Sequence, residues 1–195
     1  MKTTNEQLPA GTMPAPVGPG PARRTLVSFF HRRGILALLL ACTSLPLPAA
    51  GGNAADPNYL VFSSGAGYAL ARSKASLFAL EYRFRENYRG LHPYLLGAWA
   101  PKDGATYLGA GLLYNFELSP RWRLTVSSGP GYYERNHSPM DLGNTIEFYS
   151  NLEISTIIRH GHRLGLSVGH ISNGGLGKHN PGSETLRVVY AVPFR

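Results

Sequence analysis

From about Asn58 onward the chain alternates apolar residues with small or polar ones, and this two-residue period is what most limits its fold. Successive side chains of a β-strand leave opposite faces, whereas a helix repeats every 3.6 residues. In the last such segment Leu186, Val188, Tyr190, Val192 and Phe194 share one face, and Thr185, Arg187 and Val189 share the other. The same reading places strands at about Tyr59–Leu70, Ser76–Arg85, His92–Ala100 and Ala105–Leu118. Two more open at Trp122 and Ile146, and the last two cover Arg163–Ser172 and Glu184–Phe194. Turn residues such as Asn87–Gly90, Pro101-Lys102-Asp103-Gly104 and Ser119-Pro120-Arg121 separate them. No stretch carries helical periodicity with caps. The expected class is all-β with eight strands.

The alternation leaves open which face points inward. A soluble β-sandwich would bury the apolar faces. A membrane barrel reverses them and encloses Glu81, Arg83, Arg123, Glu147, Glu153, Arg163 and Arg187. Eight strands leave an interior just wide enough for side chains, and charges can pair there as a network. Three features favour the membrane. Tyr68, Phe84, Tyr114, Trp122, Tyr190 and Phe194 fall near strand ends on the apolar face, where an interfacial girdle belongs. The strand number is even, and each strand is long enough to span at a tilt. The final strand can pair with the first and remove both edges. The expected fold is an eight-stranded antiparallel transmembrane β-barrel. Short turns inside and longer loops outside would put both termini on the periplasmic side and the loops Asn136–Gly143 and Asn173–Ser183 outside.

The first 54 residues read differently. Residues 1–22 are rich in Pro, Gly and Thr, with Met13 as an alternative start. Arg23, Arg24, Arg32 and Arg33 precede Ile35-Leu36-Ala37-Leu38-Leu39-Leu40-Ala41, and small residues and prolines follow. That order is a secretory signal peptide, and the apolar run is far short of the ~20 residues of a membrane helix. Cleavage after Gly52 or Ala54 fits equally well. Residues 1–54 are therefore expected to be removed, leaving 55–195 as the barrel. Cys42 is the only cysteine, so no intrachain disulfide forms. It ends a Leu-Leu-Ala-Cys run that is similar to a lipoprotein site, though the small-residue exit continues past it. The formal charge is +8, but beyond residue 54 fourteen basic and ten acidic residues remain, a balance of +4. Nucleic-acid binding is not indicated.

One stretch breaks the greasy pattern. On the seventh strand Leu164, Leu166 and Val168 share a face with His170 and Ser172. Glu184 shares a face with Leu186, Val188 and Tyr190. Ionisable groups on a lipid face are costly and call for a functional reason. A serine, a histidine and a carboxylate compose an activated ester-cleaving nucleophile. Antiparallel pairing is expected to set Ser172 opposite Glu184 and His170 opposite Leu186, with all three polar groups at the outer rim. Cross-strand neighbours lie about 5 Å apart at Cβ, which these side chains can span.

Gly169-His170-Ile171-Ser172-Asn173-Gly174-Gly175-Leu176, the Asn180-Pro181-Gly182 turn, Glu184 and the closing aromatic strand resemble the outer-membrane lipid A 3-O-deacylases, the PagL family. That resemblance implies an eight-stranded barrel with a His-x-Ser-Asn motif and a Ser-His-Glu triad whose glutamate lies twelve residues after the serine, the spacing of Ser172 and Glu184. It implies Ser172 as nucleophile, His170 as base, Glu184 as the orienting carboxylate and Asn173 as an oxyanion stabiliser. The implied activity is hydrolysis of the 3-O-linked acyl chain of lipid A, in lipopolysaccharide of the bacterial outer membrane. No metal or cofactor is implied. The long Pro-rich leader and the final Arg195 depart from the family pattern.

Lys178 and His179, in the loop beside the motif, are placed to contact substrate phosphates. His160 and His162 lack a nearby acid or cysteine, so no metal site is expected. His92, His137 and His160 read with the loops and turns. Expected partners are lipid A and the surrounding outer-membrane lipids, with no nucleic acid; a homodimer stays open. The alternatives are a non-enzymatic small barrel, adhesin or structural, and a soluble periplasmic lipid-binding barrel.

Overall fold

The computed structural model describes residues 56–67, 75–85 and 89–194. The leader with Cys42, the first loop with Tyr68, and Arg195 lie outside the described residues. Eight antiparallel strands form a closed barrel in chain order. They are β1 (Asn58–Gly67), β2 (Ala75–Arg83), β3 (Leu91–Ala100), β4 (Ala105–Glu117), β5 (Trp122–Glu134), β6 (Ile146–Ile157), β7 (Arg163–Ser172) and β8 (Ser183–Phe194). β8 pairs back onto β1 from Asn58↔Phe194 to Gly67↔Thr185, so the sheet has no open edge. The class, strand count and closure are those the alternation predicts.

The polarity is inverted relative to a soluble protein. Phe62, Phe78, Leu95, Trp99, Leu108, Leu166, Val168, Leu186 and Val188 all point outward and are about half exposed. All seven charged residues expected in the lumen are buried there. An apolar exterior wrapped around a charged interior suits lipid as solvent, where closed barrels satisfy every backbone group. An aromatic group ringing the short-turn end supports the same placement. Tyr82 packs edge-on against Phe84 at 4.6 Å and Phe194 at 5.3 Å, and Tyr114 lies 4.7 Å from Phe116.

The lumen has two halves. Near the short turns it is a charge network. Arg83 donates to Glu81 at 2.7 Å on its own strand and to Glu153 at 2.6 Å across the barrel. Arg163 donates to both carboxylate oxygens of Asp56 at 3.1 Å and lies over the Tyr59 ring at 4.3 Å. Asn115 donates to Asp56 at 3.2 Å and accepts from Thr125 at 2.7 Å. Higher up, Arg187 donates to the Tyr149 hydroxyl and to Ser63.

Toward the long loops the lumen turns mostly apolar, apart from Glu147 buried at the start of β6. Ala75, Leu96, Ala100, Ala105, Tyr107, Tyr133 and Leu142 are buried there. On β3 both faces are therefore apolar at this end, with Leu96 and Ala100 inside and Leu95 and Trp99 outside. Leu142 belongs to the loop between β5 and β6, and it plugs the barrel from above with 1% exposure. One histidine departs from the sequence reading. His92 stands where the alternation opens the third strand and not with the loop histidines; it is buried inside β3, where Nδ1 sits 3.0 Å from the Phe84 carbonyl oxygen.

Removing one member of a buried ion pair strands the other. Glu153→Ala should destabilise the barrel by about 3–5 kcal/mol, whereas Arg83→Met/Glu153→Leu should recover most of that loss. Urea midpoints of the protein folded into lipid vesicles, followed by tryptophan fluorescence, would check both. Equal midpoints for wild type and Glu153→Ala would refute the network's role.

Candidate active site

β7 and β8 carry His170, Ser172 and Glu184 to the long-loop end of the barrel. Their side chains leave the outer, lipid-facing surface, continuing the stripes of Leu166 and Val168 on β7 and Leu186 and Val188 on β8. The register differs from the sequence expectation by two residues. His170 pairs with Glu184, and Leu186 pairs with Val168. Ser172 lies opposite Phe148 on β6 instead of opposite Glu184. The reason is that Ser183 joins β8 and pairs with Ile171, so the hairpin closes lower than the motif suggests. A two-residue slip keeps every side chain on its own face. The faces inferred from alternation therefore stand, while the neighbours change.

The change brings acid and imidazole together. His170 Nδ1 lies 3.7 Å from Glu184 Oε1, with each side chain about one quarter exposed. This is an ion-pair contact somewhat longer than a hydrogen bond, and catalytic hydrogen bonds are often long before substrate binds. Nδ1 faces the carboxylate, and Nε2 lies toward Gly182. Ser172 is two residues further along the same strand and on the same face.

Gly182 walls the imidazole from the loop side. Its φ is +66°, and a Cβ there would fall 2.7 Å from His170 Cε1 and 3.1 Å from Nε2. The position requires glycine both for backbone conformation and for room. The turn Asn180-Pro181-Gly182 is visible in the sequence, but its contact with His170 is not.

Asn173 does not fit the oxyanion role expected of its side chain. It is completely buried. Its Nδ2 donates to the carbonyls of Leu142 and His179, each at 2.9 Å, and its Oδ1 accepts from the Gly175 N–H at 2.9 Å. Both amide protons are thus used on backbone oxygens. Asn173 instead ties the loop 173–182 to the loop 135–145 and to the Leu142 plug. Gly143 and Gly177 permit this, since a side chain at either would collide with the neighbouring loop backbone. The Asn173 N–H donates to Asn180 Oδ1 at 3.1 Å. Asn180 is thereby fixed beside the residue that follows Ser172, a placement the sequence reading missed.

Lys178 and His179 are both exposed in the same loop. His179 Nε2 is 3.8 Å from Asp141, which also accepts from Arg135 at 3.1 Å. Among the described residues no three His, Cys, Asp or Glu side chains converge to hold a metal ion. His162 sits at the opposite end of the barrel, with Nδ1 2.7 Å from the Tyr190 hydroxyl.

A family model described as lipid A 3-O-deacylase (PagL) matches residues 76–193, more than half of the chain and all of the strands that carry this site. The chain belongs to the PagL family. It is an outer-membrane β-barrel of a lipid A deacylase family. Among solved structures, the outer-membrane enzyme PagL superposes with a TM-score of 0.55 at 17% identity, covering 70% of this chain and 99% of that one. Neisserial surface protein A gives 0.55 at 13% identity, covering 73% of this chain and 100% of that one. De novo designed transmembrane β-barrels give 0.51 at 13%, covering 72% and 98%. At these identities the superpositions speak for the fold alone. No curated protein matches the chain. The comparisons lend the homodimer no support.

Gly182→Ala should push the imidazole from its place. Misplacement by about 1 Å can cost ~10²-fold in rate, and a drop of that order in kcat for lipid A deacylation is expected. Electrophoretic mobility of the unheated, folded barrel should stay as in wild type. Unchanged kcat would show that Gly182 does not position His170.

Proposed function

We propose that this protein, after removal of residues 1–54 on export, hydrolyses the 3-O-linked acyl chain of lipid A through a Ser172-His170-Glu184 triad. The observation that carries the reading is the His170–Glu184 contact on the lipid-facing surface, two residues from Ser172, at the outer-leaflet end of a PagL-family barrel. Glu184 orients the imidazole and stabilises its charged form. His170 Nε2 takes the proton of Ser172 as Oγ attacks the ester carbonyl. The tetrahedral oxyanion needs donors set in advance. Asn180 is the candidate side-chain donor: its Oδ1 is held by the Asn173 N–H, which leaves Nδ2 on the other side of the amide. Asn173 is a positioning residue in this scheme.

Collapse of the intermediate expels the sugar oxygen, which takes the proton from His170 and leaves a free 3-hydroxyl. Water, deprotonated by the same imidazole, then attacks the acyl-serine and releases the fatty acid. Side chains supply every step, so the scheme uses no metal or cofactor. Exposed Lys178 and His179 face the headgroup side of the leaflet, where they would meet lipid A phosphates. The substrate reaches the site from within the leaflet, since Ser172 and His170 continue lipid-facing stripes.

Ser172→Ala and His170→Ala should fold normally and lose deacylation by about 10³-fold or more, because members of such a triad act as a unit. Mass spectrometry of lipid A from cells expressing each form would read the loss. Fragmentation would locate the missing chain at position 3. Full activity of Ser172→Ala would sink the mechanism, and loss of a chain from another position would sink the regiochemistry.

A further inference from the structure

His170 and Glu184 do not stand alone on the lipid face. Ser128 pairs with Ser150, Ser150 pairs with His170, and His170 pairs with Glu184, so four polar side chains form one row across β5, β6, β7 and β8. The two serine hydroxyls are 3.0 Å apart. Each interrupts an otherwise apolar outward stripe. On β5 the others from Trp122 to Tyr132 are Leu124, Val126 and Pro130; on β6 those from Ile146 to Ile154 are Phe148 and Leu152. Polar groups facing hydrocarbon are costly and default to a functional reading. Two interruptions that touch each other, in register with the His170–Glu184 pair, demand one account.

The hydroxyls satisfy each other only in part. Two hydroxyls carry two protons, and their mutual bond uses one. A proton and several lone pairs remain to be offered outward, into the acyl region. On β7 the row crosses two residues below Ser172, a rise of about 6.6 Å along the strand, and because the strands tilt its other members stand at other depths. Ser150 is one strand away from β7, about 4.8 Å. Ser150 is the diagonal neighbour of Ser172, about 7–8 Å away, within reach of a substituent near the carboxyl end of a chain whose ester carbonyl sits at Ser172.

We propose that Ser128 and Ser150 form a subsite for an oxygen substituent, a hydroxyl or an ester oxygen, carried near the carboxyl end of the acyl chain being cleaved. This rests on Ser172 being the nucleophile. The subsite selects hydroxylated chains over plain ones, because a site built to bond a hydroxyl loses that bond with the analogue lacking it. Neither serine takes part in the chemical step, so removing them alters selection and not the turnover of a plain chain.

The test uses the purified full-length mature protein in detergent micelles. The probes are two synthetic glucosamine esters that differ only in carrying 3-hydroxytetradecanoyl or tetradecanoyl. Wild type is expected to show a kcat/KM ratio of about ten or more for the hydroxylated ester. In Ser128→Ala/Ser150→Ala the ratio should fall toward one, with the plain ester hydrolysed at the wild-type rate. Ser150→Thr, which keeps a hydroxyl, should retain the preference. Ser150→Cys, nearly isosteric with a weaker donor, should lower it even if the double variant folds poorly. A ratio unchanged in the double or the Cys variant, or both rates falling together with the ratio kept, overturns the subsite and leaves a purely structural hydroxyl pair. Wild type cleaving both esters equally overturns it while the Ser172 reading stands. Wild type cleaving neither refutes the triad itself, and the subsite falls with it.

Discussion

Closure of β8 onto β1 is the constraint from which the rest follows. In hydrocarbon an unpaired backbone N–H or C=O costs several kcal/mol, so a sheet standing there must have no edge. Ten residue pairs, from Asn58↔Phe194 to Gly67↔Thr185, meet that demand. Eight strands make a ring too narrow for a wide cavity, so the interior fills with side chains. The lumen is thereby committed to holding the barrel together, through Arg83 with Glu153 and Arg163 with Asp56. The remaining place for a site facing lipid is the outer surface, and His170 and Ser172 stand there.

Lipid gives an outward site nothing to hold it in shape, so its rigidity has to come from behind. Asn173 supplies that link. It follows Ser172 in sequence but turns inward, and its amide binds the loop that carries Leu142. Leu142 in turn plugs the apolar half of the lumen. The same amide holds Gly175 in the turn, and the Asn173 backbone fixes Asn180. Interior packing thus sets loop geometry, and loop geometry sets what surrounds the outward side chains. Gly182 completes the arrangement by leaving space that the imidazole occupies.

Much of this is legible in the sequence because alternation is a local property. The strands, the lipid-facing stripes and all seven buried lumen charges follow from counting by twos. Register is not local. A slip of two residues keeps the faces and trades the partners, so the sequence reading sets Glu184 opposite Ser172 where the barrel sets it opposite His170. Asn173 is misread for a related reason. One of its hydrogen-bond partners is the Leu142 carbonyl, 31 residues away, and no spacing within the motif points to it. His92 shows a third limit, since a polar residue at a strand start looks like loop until the barrel closes around it. The hydroxyls of Ser128 and Ser150 are unremarkable one strand at a time; only the pairing of β5 with β6 makes them a pair.

The two-part lumen has a further meaning for the membrane around it. The bilayer that holds this protein is a permeability barrier, and any barrel inserted into it is a candidate leak. Here an ion entering from the loop side meets Leu142, Tyr133 and Leu96, with the buried carboxylate of Glu147 close by. From the other side it meets arginines and carboxylates already neutralised by one another. A lumen filled by paired charges at one end and plugged by Leu142 at the other is expected to conduct poorly, so a reactive surface can be displayed in the leaflet without opening the envelope.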